Sequence, residues 1–93
     1  MPSTATACVT IKNHLGLHAR PAMLFVEQAT GYTSDVRVRR TDQNEAVDGK
    51  SIMQLLILAA TKDTEIEITA TGDDAEDTLQ ALIELVDGHF HEE

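Results

Sequence analysis

The segment GLHARPAML at residues 16–24 places a histidine, an arginine and a proline where a helical pattern begins. The first backbone N–H groups of a helix have no partner within it, and the helix dipole adds partial positive charge there, so this end attracts anions. Pro21 in the first turn leaves the N–H groups of Ala19 and Arg20 free, and the forked guanidinium of Arg20 matches phosphate oxygens. Because an imidazole nitrogen is a competent nucleophile near neutral pH, the pattern favours a His18 that carries or contacts a phosphoryl group. No metal or other cofactor is required for this chemistry.

The residue pattern leaves two other interpretations of His18 open. His18 could simply cap the helix, with Arg20 as a solvated charge. His18 could also be the general base of a small metabolic enzyme, which is disfavoured because the nearby sequence offers no carboxylate partner and no pocket-forming aromatic residue. The remaining histidines are weaker candidates: His14 is expected to be a solvated loop residue, and His89 and His91 make no closed ligand set, so no metal site is predicted.

Composition and charge narrow the class of protein. The 93 residues are expected to form one domain spanning 1–93, with 16 acidic residues against 7 basic ones and a net charge of −9. This charge argues against binding a nucleic-acid backbone. The sequence has no signal-peptide pattern at its start and no apolar run of the roughly 18 residues that span a bilayer, so we expect a cytoplasmic protein without a membrane partner. A single cysteine, Cys8, cannot form an internal disulfide, which fits a reducing compartment.

Hydrophobic periodicity predicts the elements that must position His18. Alternating apolar and polar residues indicate strands, and apolar residues at helical spacing indicate helices. Ser51 stands where a helix N-cap belongs, with Gln54 at the capping-box spacing. The predicted strands lie at 5–13, 34–40, around 46–47 and at 64–72, and the predicted helices at 19–30, at 52–60 and within 73–90.

The order of these elements predicts an α+β fold. An antiparallel or mixed sheet should have one face covered by all three helices and the other exposed to water, which is an open-faced sandwich. The second and third strands should form a hairpin. Arginines of the second strand can pair with glutamates of the fourth across the open face if these strands are neighbours; the residues are Arg37, Arg39, Glu65 and Glu67.

Two longer segments carry a family resemblance. NHLGLHARPAMLFVEQA at 13–29 closely resembles the active-site segment of the HPr family, the histidine phosphocarriers of the phosphoenolpyruvate-dependent phosphotransferase system (PTS). GKSIMQLLILAA at 49–60 resembles the family segment around a regulatory serine. The resemblance implies a four-stranded antiparallel sheet with three helices on one face, and a carrier rather than a turnover enzyme. It also implies that the Nδ1 atom of His18 accepts the phosphoryl group and that Arg20 screens it.

The same resemblance implies protein partners. Enzyme I would be the phosphoryl donor, and a histidine of an enzyme IIA-type protein would be the acceptor. Ile52 and Met53 match the apolar patch that family members present to these partners, and Met23, beside the start of the active-site helix, would extend it. The alternative for these three residues is packing in the core, since methionine often fills gaps there. We expect the protein to be a monomer.

Regulation and pathway branch stay open in the sequence. Ser51 matches the serine that an HPr kinase/phosphorylase modifies in some lineages, although a plain helix cap explains it equally well. Glu27, Gln28 and Gln54 stand where sugar-transport members often carry lysines, which favours a nitrogen-type or regulatory relay, whereas KSIM at 50–53 resembles the kinase-regulated branch. A rival from another class is a regulatory binding module that is controlled by phosphorylation and relays no phosphate.

Overall fold

The computed structural model describes residues 3–91, so residues 1, 2, 92 and 93 of the predicted single domain lie outside the described part of the chain. The seven predicted elements occur in the predicted order, and a short 3-10 turn follows the last helix. In chain order they are β1 (Ser3–Thr10), α1 (Ala19–Thr30), β2 (Asp35–Arg40), β3 (Ala46–Asp48), α2 (Ile52–Leu58), β4 (Glu65–Gly72), α3 (Ala75–Asp87) and the turn His89–His91.

The four strands form one antiparallel sheet in the order β1-β4-β2-β3. The predicted hairpin of β2 and β3 is confirmed, and β2 also lies beside β4. Arg39 therefore reaches Glu67 across the open face, at 3.3 Å between Nη2 and Oε1. Arg37 pairs instead with Asp35 of its own strand, at 3.2 Å, because Thr69 is its cross-strand neighbour on β4.

The core lies between the sheet and the helices. Val36, Val38, Ile66 and Ile68 point inward and are fully buried, while their polar neighbours along β2 and β4 face outward. The three helices supply the opposite side of this core, including Phe25, which is also buried. The predicted α+β open-faced sandwich, with a four-stranded antiparallel sheet and three helices, is confirmed.

Several element ends differ from the prediction, most clearly the C-terminal ends of β1 and α2. The first strand ends at Thr10, although the next residue, Ile11, is buried and its backbone still exchanges hydrogen bonds with the 63–64 segment. The second helix ends at Leu58 and not at residue 60. Ala59 adopts the left-handed conformation, with a φ of 55°, and its carbonyl accepts a hydrogen bond of 3.1 Å from Arg40. A hydrogen bond from β2 thus takes the place of the next turn of α2.

The 3-10 turn after α3 adds a core residue that the helical pattern did not predict. Phe90 is 1% exposed and packs into the core although it lies beyond Gly88, where the helix ends. Within residues 3–91, no helix combines the length and apolar character needed to cross a membrane.

Candidate functional site

His18 is the N-cap residue of α1. Its backbone is extended, with a φ of −88° and a ψ of −169°, and its carbonyl accepts the first helical hydrogen bond from the Ala22 amide at 2.9 Å. The imidazole makes no capping hydrogen bond to the first turn of α1. His18 thus occupies the N-cap position without a capping hydrogen bond from its ring, and its role at this position stays a prediction. The half-buried side chain keeps its Nε2 atom inaccessible to solvent.

The first turn of α1 presents hydrogen-bond donors beside this ring. Ala19 and Arg20 occupy the first two helical positions, and among residues 3–91 nothing accepts from their amides. Pro21 takes the third position, where its missing N–H removes no helical bond. The first turn carries no acidic side chain. The first turn of this 12-residue helix therefore supplies no negative charge of its own to offset the helix dipole next to His18.

The Arg20 guanidinium is exposed, and within residues 3–91 it has no hydrogen bond or ion pair. The arginines of β2 differ, because Arg37, Arg39 and Arg40 each hold a carboxylate within 3.3 Å. Arg20 can therefore bind an anion at the start of α1 without first breaking an internal ion pair.

The loop that leads into His18 is bonded to the segment that follows α2. Gly16 has a φ of +72°, and a Cβ atom there would lie 2.7 Å from the carbonyl oxygen of Ala60. The same oxygen accepts a hydrogen bond of 2.8 Å from the Leu17 amide. Leu17 itself is buried in the core. These contacts bring the start of α1 next to α2, which the chain reaches only 33 residues later along the sequence.

Large apolar side chains are exposed on the loop before His18, on α1 and on α2, and we call them the apolar patch. Met53 is 71% exposed and Ile57 is 74% exposed, so both face solvent from α2. Core packing, the alternative for the three predicted docking residues, is excluded because all of them are exposed. The patch consists of Leu15 in the loop, Met23 on α1, and Ile52, Met53, Leu56 and Ile57 on α2.

Sequence reasoning missed half of the patch. Ile57 lies in the continuous apolar run LLIL at 55–58, where periodicity does not separate the buried side from the exposed side. Leu55 and Leu58 of this run are buried, and Leu56 and Ile57 are exposed. Leu15 precedes His18 in a loop without a periodic pattern, so its exposure depends on the fold of that loop.

Ser51 is the N-cap of α2, as predicted. Its Oγ accepts a hydrogen bond of 3.2 Å from the Gln54 amide. The Gln54 side chain does not return to Ser51 as a full capping box would; its Oε1 accepts from the Asp48 amide at 2.8 Å. Ser51 is half-buried, and the exposed Ile52 and Met53 of the apolar patch follow it directly.

His18 does not line the cleft that α1 and α3 form. This cleft of about 250 Å³ is lined by Gln28, Ala81, Glu84, Leu85 and His91. Within residues 3–91, no group of three histidine, cysteine or acidic side chains is arranged to hold a metal ion. Exposed apolar side chains such as those of the apolar patch are typical of surfaces that contact other proteins.

Comparison with known proteins identifies the family. The family model described as PTS HPr component phosphorylation site matches residues 5–87. The chain belongs to the HPr family. Phosphocarrier protein HPr of Pseudomonas aeruginosa is 45% identical over 84 residues, covering 90% of this chain and 92% of that protein. Phosphocarrier protein NPr of Escherichia coli K12 is 39% identical over 90 residues, covering 97% and 99%. The crystal structure of HPr-C-His from Thermoanaerobacter tengcongensis matches with a TM-score of 0.90 and 38% identity, covering 96% of this chain and 98% of that one.

Membership of the HPr family confirms two predictions. Both named relatives are phosphocarrier proteins and not turnover enzymes, so this chain has the role of a PTS phosphocarrier. The predicted resemblance to the HPr family is confirmed over most of the chain. The matching relatives carry both names, HPr and NPr. The choice between sugar uptake and a nitrogen-type or regulatory relay therefore stays a prediction.

Proposed function

We propose that this HPr-family protein carries its phosphoryl group on Nδ1 of His18, receives it from phosphorylated enzyme I, and donates it to a histidine of an enzyme IIA-type protein. One observation carries the proposal. The His18 ring stands at the N-terminus of α1, next to two amides and an exposed guanidinium that have no partner among residues 3–91.

The chemistry of the transfer follows from these groups. The lone pair of His18 Nδ1 attacks phosphorus, the bond from phosphorus to the donor residue of enzyme I breaks, and a new N–P bond forms. Because Nε2 is inaccessible to solvent, a donor protein has to approach the ring at Nδ1. The added negative charge meets the amides of Ala19 and Arg20, the helix dipole and the Arg20 side chain. When the acceptor histidine attacks phosphorus, the N–P bond at His18 Nδ1 breaks and the phosphoryl group moves to the acceptor.

Docking of enzyme I and of the acceptor takes place on the apolar patch. Met23, Ile52 and Met53 expose apolar surface next to the start of α1, and clustered exposed apolar side chains are typical of protein interaction sites. Glu27 and Gln54 are exposed on the same two helices, so no lysine stands at these two positions. A partner that fits the patch presents an apolar face and does not depend on acidic residues that pair with lysines.

Ser51 is the proposed site of regulation by an HPr kinase/phosphorylase. Its hydroxyl lies at the N-terminus of α2, immediately before two residues of the apolar patch, Ile52 and Met53. Phosphorylation there adds about two negative charges near neutral pH. The modified serine would hinder docking by charge repulsion and by desolvation, without requiring the protein to unfold.

A labelling experiment tests the proposed function. Wild type, His18→Ala and His14→Ala are incubated with labelled phosphoenolpyruvate and enzyme I from the same organism. We expect acid-labile, alkali-stable label on wild type and on His14→Ala, the matched control from the adjacent loop, and none on His18→Ala with its fold intact. If His18→Ala does not fold, the result would show that His18 has a structural role. Absence of label on wild type would overturn the relay and favour the regulatory binding module controlled at Ser51.

A second stage of the same experiment identifies the acceptor. Labelled protein is mixed separately with a sugar-type and a nitrogen-type enzyme IIA. Transfer to the first places the protein in sugar uptake, and transfer to the second places it in a nitrogen-type relay. Retention of the label in both mixtures would contradict the proposed onward transfer.

A further inference from the structure

The loop before His18 is closed by a side chain that is fully buried. Asn13 is 0% exposed, and its Nδ2 donates a hydrogen bond of 2.7 Å to the carbonyl oxygen of Gly16. The Gly16 amide donates back to the Asn13 carbonyl at 3.1 Å. The turn from 13 to 16 is thus closed twice, once through the backbone and once through the Asn13 side chain.

The Gly16 carbonyl also holds the backbone of His18. It accepts a hydrogen bond of 3.0 Å from the His18 amide in addition to the one from Asn13. Gly16 has no room to shift toward α2, because the position of its missing Cβ is only 2.7 Å from backbone atoms of Ala60 and Thr61. The Gly16 carbonyl is thus bonded to two groups, the Asn13 side chain and the His18 amide. Through this shared acceptor, Asn13 is linked to the position of the His18 backbone.

We propose that Asn13 is a positioning residue for phosphoryl transfer, which it controls by fixing the Gly16 carbonyl and, through it, the orientation of His18. This inference rests on the proposed role of His18 as the phosphoryl carrier. In-line attack on phosphorus requires close alignment, and a displacement of about 1 Å can slow a reaction about a hundredfold. A buried amide must be hydrogen-bonded to avoid a desolvation cost, whereas an apolar residue would fill the same space without that requirement. The advantage of asparagine here is thus the geometry it imposes on the turn.

Asn13→Ala tests this role against Thr78→Val in the full-length protein. Thr78 is the matched control because it is also 0% exposed and hydrogen-bonded, to the Asp74 carbonyl at 2.7 Å, but it lies at the start of α3. Rapid-quench assays measure kcat and KM for transfer from phosphorylated enzyme I. For Asn13→Ala we expect kcat to fall about ten- to hundredfold, with KM almost unchanged because Asn13 is not on the docking surface. Thr78→Val should keep the wild-type kcat even where its thermal stability is lower.

Nuclear magnetic resonance of the unphosphorylated proteins gives a readout independent of the relay. The ring nitrogen shifts of His18 and the amide shifts of Ala19 and Arg20 should change in Asn13→Ala and not in Thr78→Val. A folded Asn13→Ala with wild-type kcat and unchanged His18 shifts would overturn the positioning role. Failure of the wild type to accept phosphate would overturn the proposed function, while these shifts would still test the geometry.

Hydrogen exchange of the wild type keeps the inference testable if Asn13→Ala does not fold. The His18 amide should exchange slowly, as the Leu17 amide should, because each donates a hydrogen bond within the structure: His18 to the Gly16 carbonyl and Leu17 to the Ala60 carbonyl. Exchange of the His18 amide at the rate of an unstructured peptide would show that the loop does not hold it, and would overturn the proposal.

Discussion

Gly16 and Ala60 approach so closely that no side chain fits between them. A Cβ atom on Gly16 would lie 2.7 Å from the Ala60 carbonyl oxygen, and the φ of +72° at Gly16 is itself strained for any residue with a Cβ. The segment that follows α2 and the loop before His18 are therefore in direct backbone contact. This contact places the N-terminus of α1 beside the apolar patch, and it explains why glycine is required in the loop.

Gly16→Ala should destabilise the protein by about 1–3 kcal/mol, because it combines left-handed strain with a backbone clash. Urea unfolding measures the change. Gly31→Ala is the matched control, since Gly31 has a φ of −71° and a Cβ atom there would lie 3.4 Å or more from its nearest neighbours. That control should stay within about 0.5 kcal/mol of wild type. Equal stability of the two variants would contradict the close packing of Gly16 on Ala60.

Arg20→Ala should slow phosphoryl transfer about ten- to hundredfold, since it removes a charge-assisted hydrogen bond to the phosphate. Stability should hardly change because the side chain is exposed. Transfer rates from phosphorylated enzyme I measure the effect. Arg37→Ala removes an exposed arginine from the open face of the sheet and should transfer at the wild-type rate. Similar losses in both variants would indicate an effect of net charge and not of the site.

Met53→Ser should raise KM for phosphorylated enzyme I about tenfold, because an exposed apolar contact in the interface is lost. The free energy of unfolding should stay close to that of wild type, since Met53 is 71% exposed. Leu55→Ala on the same helix provides the contrast: Leu55 is fully buried, and its truncation should cost about 2–5 kcal/mol of stability. An unchanged KM for Met53→Ser would remove this residue from the docking surface.

Ser51→Asp should slow phosphorylation by enzyme I about tenfold, because it places a negative charge beside the docking surface. Ser51→Asn is the matched control, as asparagine also caps helices but carries no charge. Transfer rates of the two variants are compared under the same salt conditions. A wild-type rate for Ser51→Asp would reduce Ser51 to a helix cap.

Asp74 should make the protein more stable at neutral pH than in acid. Hydrogen bonds from the Ser34 hydroxyl and from the Thr33 and Ser34 amides hold the pKa of Asp74 well below its usual value. A carboxylate with a lowered pKa stabilises the fold above its unfolded pKa of about 4, and that contribution is lost as pH falls toward the folded pKa. Asp74→Asn should therefore be less stable than wild type at pH 7.

Thermal unfolding of wild type and Asp74→Asn between pH 7 and pH 2 measures this dependence. The difference in midpoint should be largest at neutral pH and should shrink below about pH 4. Asp73→Asn, which removes the adjacent exposed carboxylate, serves as the control and should stay close to wild type at pH 7. A difference that does not vary with pH would contradict the role assigned to the ionised Asp74 carboxylate.

Local patterns were sufficient to predict the elements and the start of α1. Alternation along β2 and β4 placed Val36 and Ile68 inside, and the HARP pattern placed His18 at a helix N-terminus, because these signals depend on residues only a few positions apart. Asn13 was not recognised, since the sequence pattern placed it at the end of the predicted first strand and gave no sign of the loop that begins after Thr10. Its burial arises from the way the loop folds back onto the Gly16 carbonyl.

What the sequence by itself determined is the set of elements, the chemistry of His18 and Arg20, and the resemblance to the HPr family, all of which reside in short contiguous segments. The tertiary structure determined which strands and side chains lie next to each other. The sheet order β1-β4-β2-β3 placed Glu67 opposite Arg39, and the bond from Arg40 ended α2 at Leu58. It also decided which residues of the LLIL run became surface, because burial depends on contacts between elements that are distant in the chain.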